Sequence, residues 1–333
     1  MISVIIPTRN RIDDLNETLL SILNNNSDKD FYEVIIVNNG DHEPIKKLFK
    51  DYKTKFSNIS LYHNKIPGLH HARHTGYFKS KGKILAFIDD DVILNPDWIS
   101  SIEKIFLNNE IVLATGACIP LFSETDGENW FYNLWSRKSK KSHKLFWPYS
   151  VSNYSSNKDK IINPNNIWGC NFLVRKSLIN ECDGFHPDGL PESRKFYRGD
   201  GESYITGFAL RKKYKAIISS NLNILHKVNK SRSSINYMYK RGYNEGISQS
   251  YIRFRNNTLE KNQVLFFHKI FQIFFKLFFS FYMKIRKKNI TKDEQLALKL
   301  LDDGIQSGKR DYVYEYYNNS KLRSWVGKKN YYE

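Results

Sequence analysis

Cysteine is almost missing: Cys118, Cys170 and Cys182 are the only three in 333 residues. An odd number, at spacings that suit no metal, indicates neither a disulfide framework nor a zinc site, and a reducing cytoplasm is the expectation. No secretory leader is visible, since Met1 runs at once into Ile2-Ser3-Val4-Ile5-Ile6-Pro7, without a basic region or a long apolar run. There is no internal repeat, no low-complexity tract and no uninterrupted apolar stretch of spanning length. Val264 to Lys288 comes nearest, but His268, Gln272, Lys276, Ser280 and Lys284 recur every fourth residue and Arg286-Lys287-Lys288 follow. That pattern reads as an amphipathic helix, with an anionic membrane surface, the core or a partner subunit as its alternatives. Acidic residues are scarce toward the end. Residues 211–333 hold 26 Lys+Arg against 9 Asp+Glu, whereas residues 1–210 hold 26 against 25, so the net charge of +18 lies almost wholly in the last third. Such a region suits an anionic surface or a polyanionic acceptor. No nucleic-acid motif accompanies it, and nucleic acid is not expected as a partner.

What is present is enough apolar residue, 41%, for a large core. Short β-branched runs at Ser3 to Ile6, Glu33 to Asn38, Ile59 to His63, Lys83 to Ile88 and Val112 to Ala117 predict strands. Segments at Asp13 to Asn24, Pro44 to Tyr52, Gly68 to Ser80 and Pro96 to Asn108 predict helices between them. This alternation implies an α/β, Rossmann-like, mostly parallel sheet flanked by helices, whose ligands bind beyond the carboxyl ends of the strands. Residues 120–166, rich in aromatics, Lys, Ser and Asn, read as a long functional loop. Ile167 to Val174 predicts a further strand and Gly201 to Lys213 a helix, and from Ser233 onward the chain reads as helical.

The strand Lys83 to Ile88 ends in Asp89-Asp90-Asp91. Three adjacent carboxylates raise one another's pKa and persist as anions only if a cation or water compensates them. Mg²⁺ or Mn²⁺ takes such oxygens together with substrate phosphates.

Val4-Ile5-Ile6-Pro7-Thr8-Arg9-Asn10-Arg11, Val34-Ile35-Ile36-Val37-Asn38-Asn39-Gly40, Gly68-Leu69-His70-His71-Ala72-Arg73-His74-Thr75-Gly76 and Asp89-Asp90-Asp91, in this order, closely resemble the family 2 glycosyltransferases with a GT-A fold. The resemblance covers about residues 1–230. It implies a nucleotide-binding half at about 1–117, an acceptor half at about 118–230, and a helical extension at 231–333. It assigns Pro7, Thr8, Arg9, Asn38, Arg73, Asp89 and Asp90 to the nucleotide, and Asp91 and His226 to a Mn²⁺ or Mg²⁺ ion. Trp168, Gly169, Asn171 and Glu202 fall to the sugar and acceptor pocket. Asp200 is implied as catalytic base, although Gly199 stands where the family carries Glu, and Asn38-Asn39 stand where Asp is usual. For several of these the plainer alternatives are an N-cap for Asp200, a core tryptophan for Trp168 and a surface cation for Arg73.

The function implied is inverting transfer of a sugar from a nucleoside-diphosphate donor, most simply a UDP-sugar, to a glycan or lipid-linked acceptor. Its setting would be bacterial surface polysaccharide synthesis, in the cytoplasm or peripheral on the inner face of the membrane, with oligomers possible. Asp-Asp-Asp-Val also resembles the nucleophile motif of haloacid-dehalogenase-type enzymes, which makes phosphoryl transfer at Asp89 the competing reading. A catalytically silent nucleotide-sugar or membrane-binding module is the third.

Overall fold

A computed structural model describes residues 1–122, 130–136, 143–154, 156, 158–228, 232, 234–256 and 291–332. Its strands are β1 (Ile2–Thr8), β2 (Tyr32–Asn38), β3 (Ile59–His63), β4 (Ile84–Ile88), β5 (Val92–Leu94), β6 (Ile111–Thr115), β7 (Cys118–Leu121), β8 (His143–Phe146), β9 (Val151–Tyr154), β10 (Lys160–Ile162), β11 (Asn171–Arg175), β12 (Lys215–Ile218) and β13 (Ile224–Lys227). The helices are α1 (Ile12–Leu23), α2 (His42–Lys53), α3 (Leu69–Lys79), α4 (Trp98–Phe106), α5 (Trp130–Ser136), α6 (Lys176–Glu181), α7 (Ser203–Arg211), α8 (Ile235–Arg255), α9 (Lys292–Asn318) and α10 (Ser320–Val326).

Eight strands form the main sheet in the order β10-β12-β6-β11-β4-β1-β2-β3. β4, β1, β2 and β3 are parallel, while β11 runs antiparallel between β4 and β6. β1, β2 and β4 are covered on both faces, which is why their sequences are mostly apolar runs, whereas β3 at the sheet edge is only partly buried. Alternate residues feed two cores. Val4, Ile6, Val34, Ile36, Ala86 and Ile88 pack on one side of the sheet, and Ile5, Ile35, Val37, Leu85 and Phe87 on the other. A small sheet, β5-β13-β7, lies just beyond β4 and fixes the second half of the site to the first.

Residues 120–166 are not simply a loop. They carry part of β7, α5, a β8-β9 hairpin and β10. Trp130, Phe131, Tyr149 and Val151 form an aromatic core with Met238 of α8 and with Ala297 and Leu301 of α9. The stretch at 264–288 lies outside the described residues. Among the described residues, no helix is long and apolar enough to cross a membrane.

α8 and α9 meet backbone to backbone at four glycines. A Cβ on Gly242 would lie 2.1 Å from the Leu301 carbonyl oxygen, and one on Gly246 2.2 Å from that of Ile305. Gly304 and Gly308 face the Tyr239 and Tyr243 carbonyls in the same way. Partners advance together along both helices, so the pair runs parallel. Gly246→Ala has only backbone to push against. Overpacking of this kind costs about 1–3 kcal/mol, and urea unfolding is expected to show a lowered midpoint; an unchanged midpoint would mean the helices separate freely.

Candidate functional site

The three acids after β4 have different surroundings. Asp90 is fully buried, accepts a 2.6 Å hydrogen bond from Thr8 Oγ1 at the end of β1, and is ion-paired with Arg11. Its backbone carbonyl accepts the Thr18 hydroxyl at 3.0 Å. Asp90 therefore ties β1 and α1 to β4, and burial pushes its carboxyl up to about 7. Its side chain is enclosed by Thr8 and Arg11.

Asp91 accepts Arg11 Nη1 at 2.5 Å through Oδ2, while its Oδ1 lies 3.4 Å from His226 Nε2. β13 brings the imidazole there by pairing antiparallel with β5, His226 opposite Val92. The Lys227 amide also donates to the Asp91 carbonyl at 3.0 Å. Burial works against charge on Asp91, but His226 and Arg11 overcome it and hold the carboxyl below the usual range. Burial likewise opposes charge on His226, yet contact with Asp91 lifts it to about 9.

Asp89, Asp91 and His226 each offer one ligand atom, all within 4.8 Å of one another. Apart from their mutual 3.4 Å ion pair, Asp91 Oδ1 and both His226 nitrogens are buried without a hydrogen-bond partner among the described residues. Unpaired buried polar atoms are costly. Two carboxylates and an imidazole converging on one point fit a divalent cation that keeps further positions for diphosphate oxygens.

Beside this group a cleft is lined by Pro7, Thr8, Arg9, Arg11, Asn39, Gly68, Leu69 and Gly189. Gly68, at φ 141°, turns the chain into α3, and Gly189, at φ 62°, lies against Leu69. Both conformations favour glycine. The structure separates the two asparagines at the end of β2. Asn38 is fully buried and spends its amide on its own turn, donating to the Asp41 carbonyl at 2.9 Å and accepting the Gly40 amide at 2.8 Å. These two bonds leave one N–H and one lone pair of the amide uncommitted. Asn39 lines the cleft instead, its Nδ2 donating to the Asn64 and Ile66 carbonyls.

Arg73 on α3 is buried and donates to Glu202 Oε2 at 2.8 Å, while Glu202 Oε1 accepts the Gly169 amide at 2.8 Å. Arg73 also feels Asp89 and Asp188, so it links the acids of β4 to the second half of the site. Gly169 leaves room for this: a Cβ there would sit 2.0 Å from Arg73 Nη2. Gly169→Ala should push the guanidinium off Glu202 and leave a buried carboxylate short of its partner. Calorimetric unfolding is expected to show a loss of about 1–3 kcal/mol; wild-type stability would show that Arg73 has other places to go.

Trp168 is half-buried and packed on the core. Asn171 is fully buried, with its Nδ2 donating to the Leu222 carbonyl at 2.8 Å and its Oδ1 accepting the Trp98 indole at 3.3 Å. Its amide ties its strand to the turn at Leu222 and to the helix that begins at Trp98.

Asp200 lies in the loop before α7, two residues ahead of Glu202. His186 Nδ1 is 2.6 Å from Asp200 Oδ1, and the imidazole stacks on Tyr204 at 3.5 Å between ring centres. The α7 helix has no side-chain cap, so Asp200 is not spent as one.

Sequence reasoning left Arg11, Asp188 and His186 without roles. Arg11 stands inside a quoted motif, and its charge three residues past β1 was the available signal. Nothing local singles out His186, whose partners are remote in the chain.

A family model described as glycosyl transferase family 2 matches residues 3–182. Glycosyltransferase AglE of Haloferax volcanii is 32% identical over 99 residues, which is 29% of this chain and 33% of that protein. An uncharacterized glycosyltransferase of Rickettsia bellii is 41% identical over 90 residues, 27% of this chain and 13% of that protein. The matched stretches thus span a third or less of these relatives. Among solved structures, the mannosyltransferase PcManGT from Pyrobaculum calidifontis in complex with GDP-Man and Mn²⁺ superposes with a TM-score of 0.53 at 14% identity, covering 98% of this chain and 83% of that one. That likeness shows the fold, GT-A, with the helices that follow it.

Proposed function

Because the chain belongs to glycosyl transferase family 2, we propose that it moves a sugar, with inversion and with a divalent cation, from a nucleoside-diphosphate donor to an acceptor hydroxyl. The observation that carries this reading is the convergence of Asp89, Asp91 and His226 beside the cleft at the end of β1. A donor's base and ribose would lie along Pro7, Thr8, Arg9 and Asn39, with its diphosphate toward Asp89 and Asp91. A uracil base, and Mn²⁺ in preference to Mg²⁺, are the specific choices proposed, the second because an imidazole ligand suits a transition ion better. When bound, the cation supplies positive charge against the departing diphosphate.

The chain's own residues do the rest. Arg11 and Arg73 bring fixed positive charge to the donor side. Asp200 takes the proton of the attacking hydroxyl. Glu202 is poorly suited to that task, since both its oxygens are occupied by Arg73 and the Gly169 amide. Asp200 has one oxygen on His186 and the other free of protein hydrogen bonds, so it can accept. The acceptor proposed is a glycan or lipid-linked precursor of a surface polysaccharide, met at the cytoplasmic side of the membrane; the basic last third of the chain supports this. Proton NMR of the product tests the stereochemical claim. An anomeric configuration opposite to the donor's is expected, and retention would contradict it.

A further inference from the structure

Gly199 stands where family members carry a glutamate, and the structure gives a reason. A Cβ on Gly199 would lie 3.0 Å from the Tyr251 ring and 3.1 Å from Pro187, and the Ser248 hydroxyl of α8 donates to the Gly199 carbonyl at 2.7 Å. The side of the loop on which a larger residue would sit is filled by α8.

From Tyr251 a chain of polar contacts runs in both directions. Its hydroxyl is 3.2 Å from His186 Nδ1 and donates to the Tyr331 hydroxyl at 2.8 Å. Tyr331 donates to the Trp325 carbonyl at 2.8 Å and accepts from Arg255 Nη1 at 3.1 Å. His186, Tyr251 and Tyr331 are at most 1% exposed. With Nδ1–H donating to Asp200 and the Tyr251 hydroxyl donating to Tyr331, the 3.2 Å contact between Tyr251 and His186 carries no hydrogen of its own. The two tyrosines hold the imidazole by packing, with ring centres 5.6 and 5.3 Å from it. The arrangement leaves His186 Nε2 buried and without a hydrogen-bond partner among the described residues. Simple packing would not retain so costly a group where an apolar side chain could fill the space.

We propose that His186, Tyr251 and Tyr331 are positioning residues that fix the rotamer of Asp200 for proton transfer, Tyr331 reaching the site from beyond α10. The inference rests on the reading that Asp200 is the base. Remote elements thereby complete a loop that lacks the family's second acid. An aspartate free to rotate by about 1 Å would forfeit on the order of 10²-fold in rate.

The experiment uses the full chain and compares His186→Asn, which keeps an N–H donor, with His186→Leu, which does not, and adds Tyr331→Phe. Turnover is expected to fall about 100-fold in His186→Leu and about tenfold or less in His186→Asn and Tyr331→Phe, with donor KM within about threefold of wild type. The charged groups facing His186 are Asp200, Arg255 of α8 and Arg211 of α7. His186→Leu removes the N–H that holds Asp200 Oδ1, whereas His186→Asn can supply one, so turnover retained in His186→Asn with donor KM unchanged is the readout expected of a positioning residue. A purely structural role would lower the active fraction in His186→Leu and His186→Asn alike. Wild-type turnover in His186→Leu, or equal losses in His186→Leu and His186→Asn, would overturn the proposal. So would ¹⁵N NMR that finds the His186 proton on Nε2, a result independent of activity. If the wild-type protein transfers no sugar from any donor, the functional reading fails instead.

Discussion

Asp200→Asn is expected to lower turnover by about 10³-fold, within the range that positioned general bases contribute, while leaving donor affinity within about threefold of wild type. The amide keeps the shape of the carboxylate but cannot take a proton. Release of nucleoside diphosphate reports the first effect and titration calorimetry the second. Glu202→Gln should behave differently. Its carboxylate balances the buried Arg73, and removing one partner of a buried pair is a stability event of about 3–5 kcal/mol. Near-wild-type turnover in Asp200→Asn, with loss of turnover in a folded Glu202→Gln, would reverse the two assignments.

Asp91→Ala carries the second large effect. It removes the carboxylate that Arg11 and His226 both approach, and with it one of three ligand atoms. The variant is expected to fold and to lose at least about tenfold in Mn²⁺ affinity, as altered metal sites commonly do, measured by the fluorescence or melting response to added metal. Asp90→Ala is the informative contrast. Asp90 is enclosed by Thr8 and Arg11, so its loss should lower the melting temperature yet leave the metal response in place. Equal metal responses in wild type and Asp91→Ala would remove Asp91 from the site.

β1, β2 and β4 were readable because each is a short, mostly apolar run buried on both faces. Ile59–His63 is recovered residue for residue, and β1, β2 and β4 within two residues at each end. The region 120–166 was not readable. Its order comes from rings stacked across distant segments, such as Phe131 on Tyr149 at 4.1 Å and Tyr149 near Tyr237, and contacts of that kind leave no period in the sequence. The acids after β4 were visible as a group, but their division of labour was not, since it depends on Thr8 and Arg11 reaching Asp90 from 82 and about 80 residues away. Asn38 and Asn39 show the same limit at a strand end. Both look suited to a base, and only the turn that engages Asn38 tells them apart. His186 was silent for a similar reason, as its partners lie 14 and 65 residues onward.

The central claim is that this cleft takes a nucleoside-diphosphate sugar together with a divalent cation. Melting of the wild-type protein with UDP-, GDP- and CDP-sugars, each in Mn²⁺ and in EDTA, tests it most directly. The prediction is that at least one donor, a UDP-sugar foremost, raises the melting temperature in Mn²⁺ and fails to do so in EDTA. A donor that stabilises equally in EDTA, or no donor that stabilises at all, would contradict it.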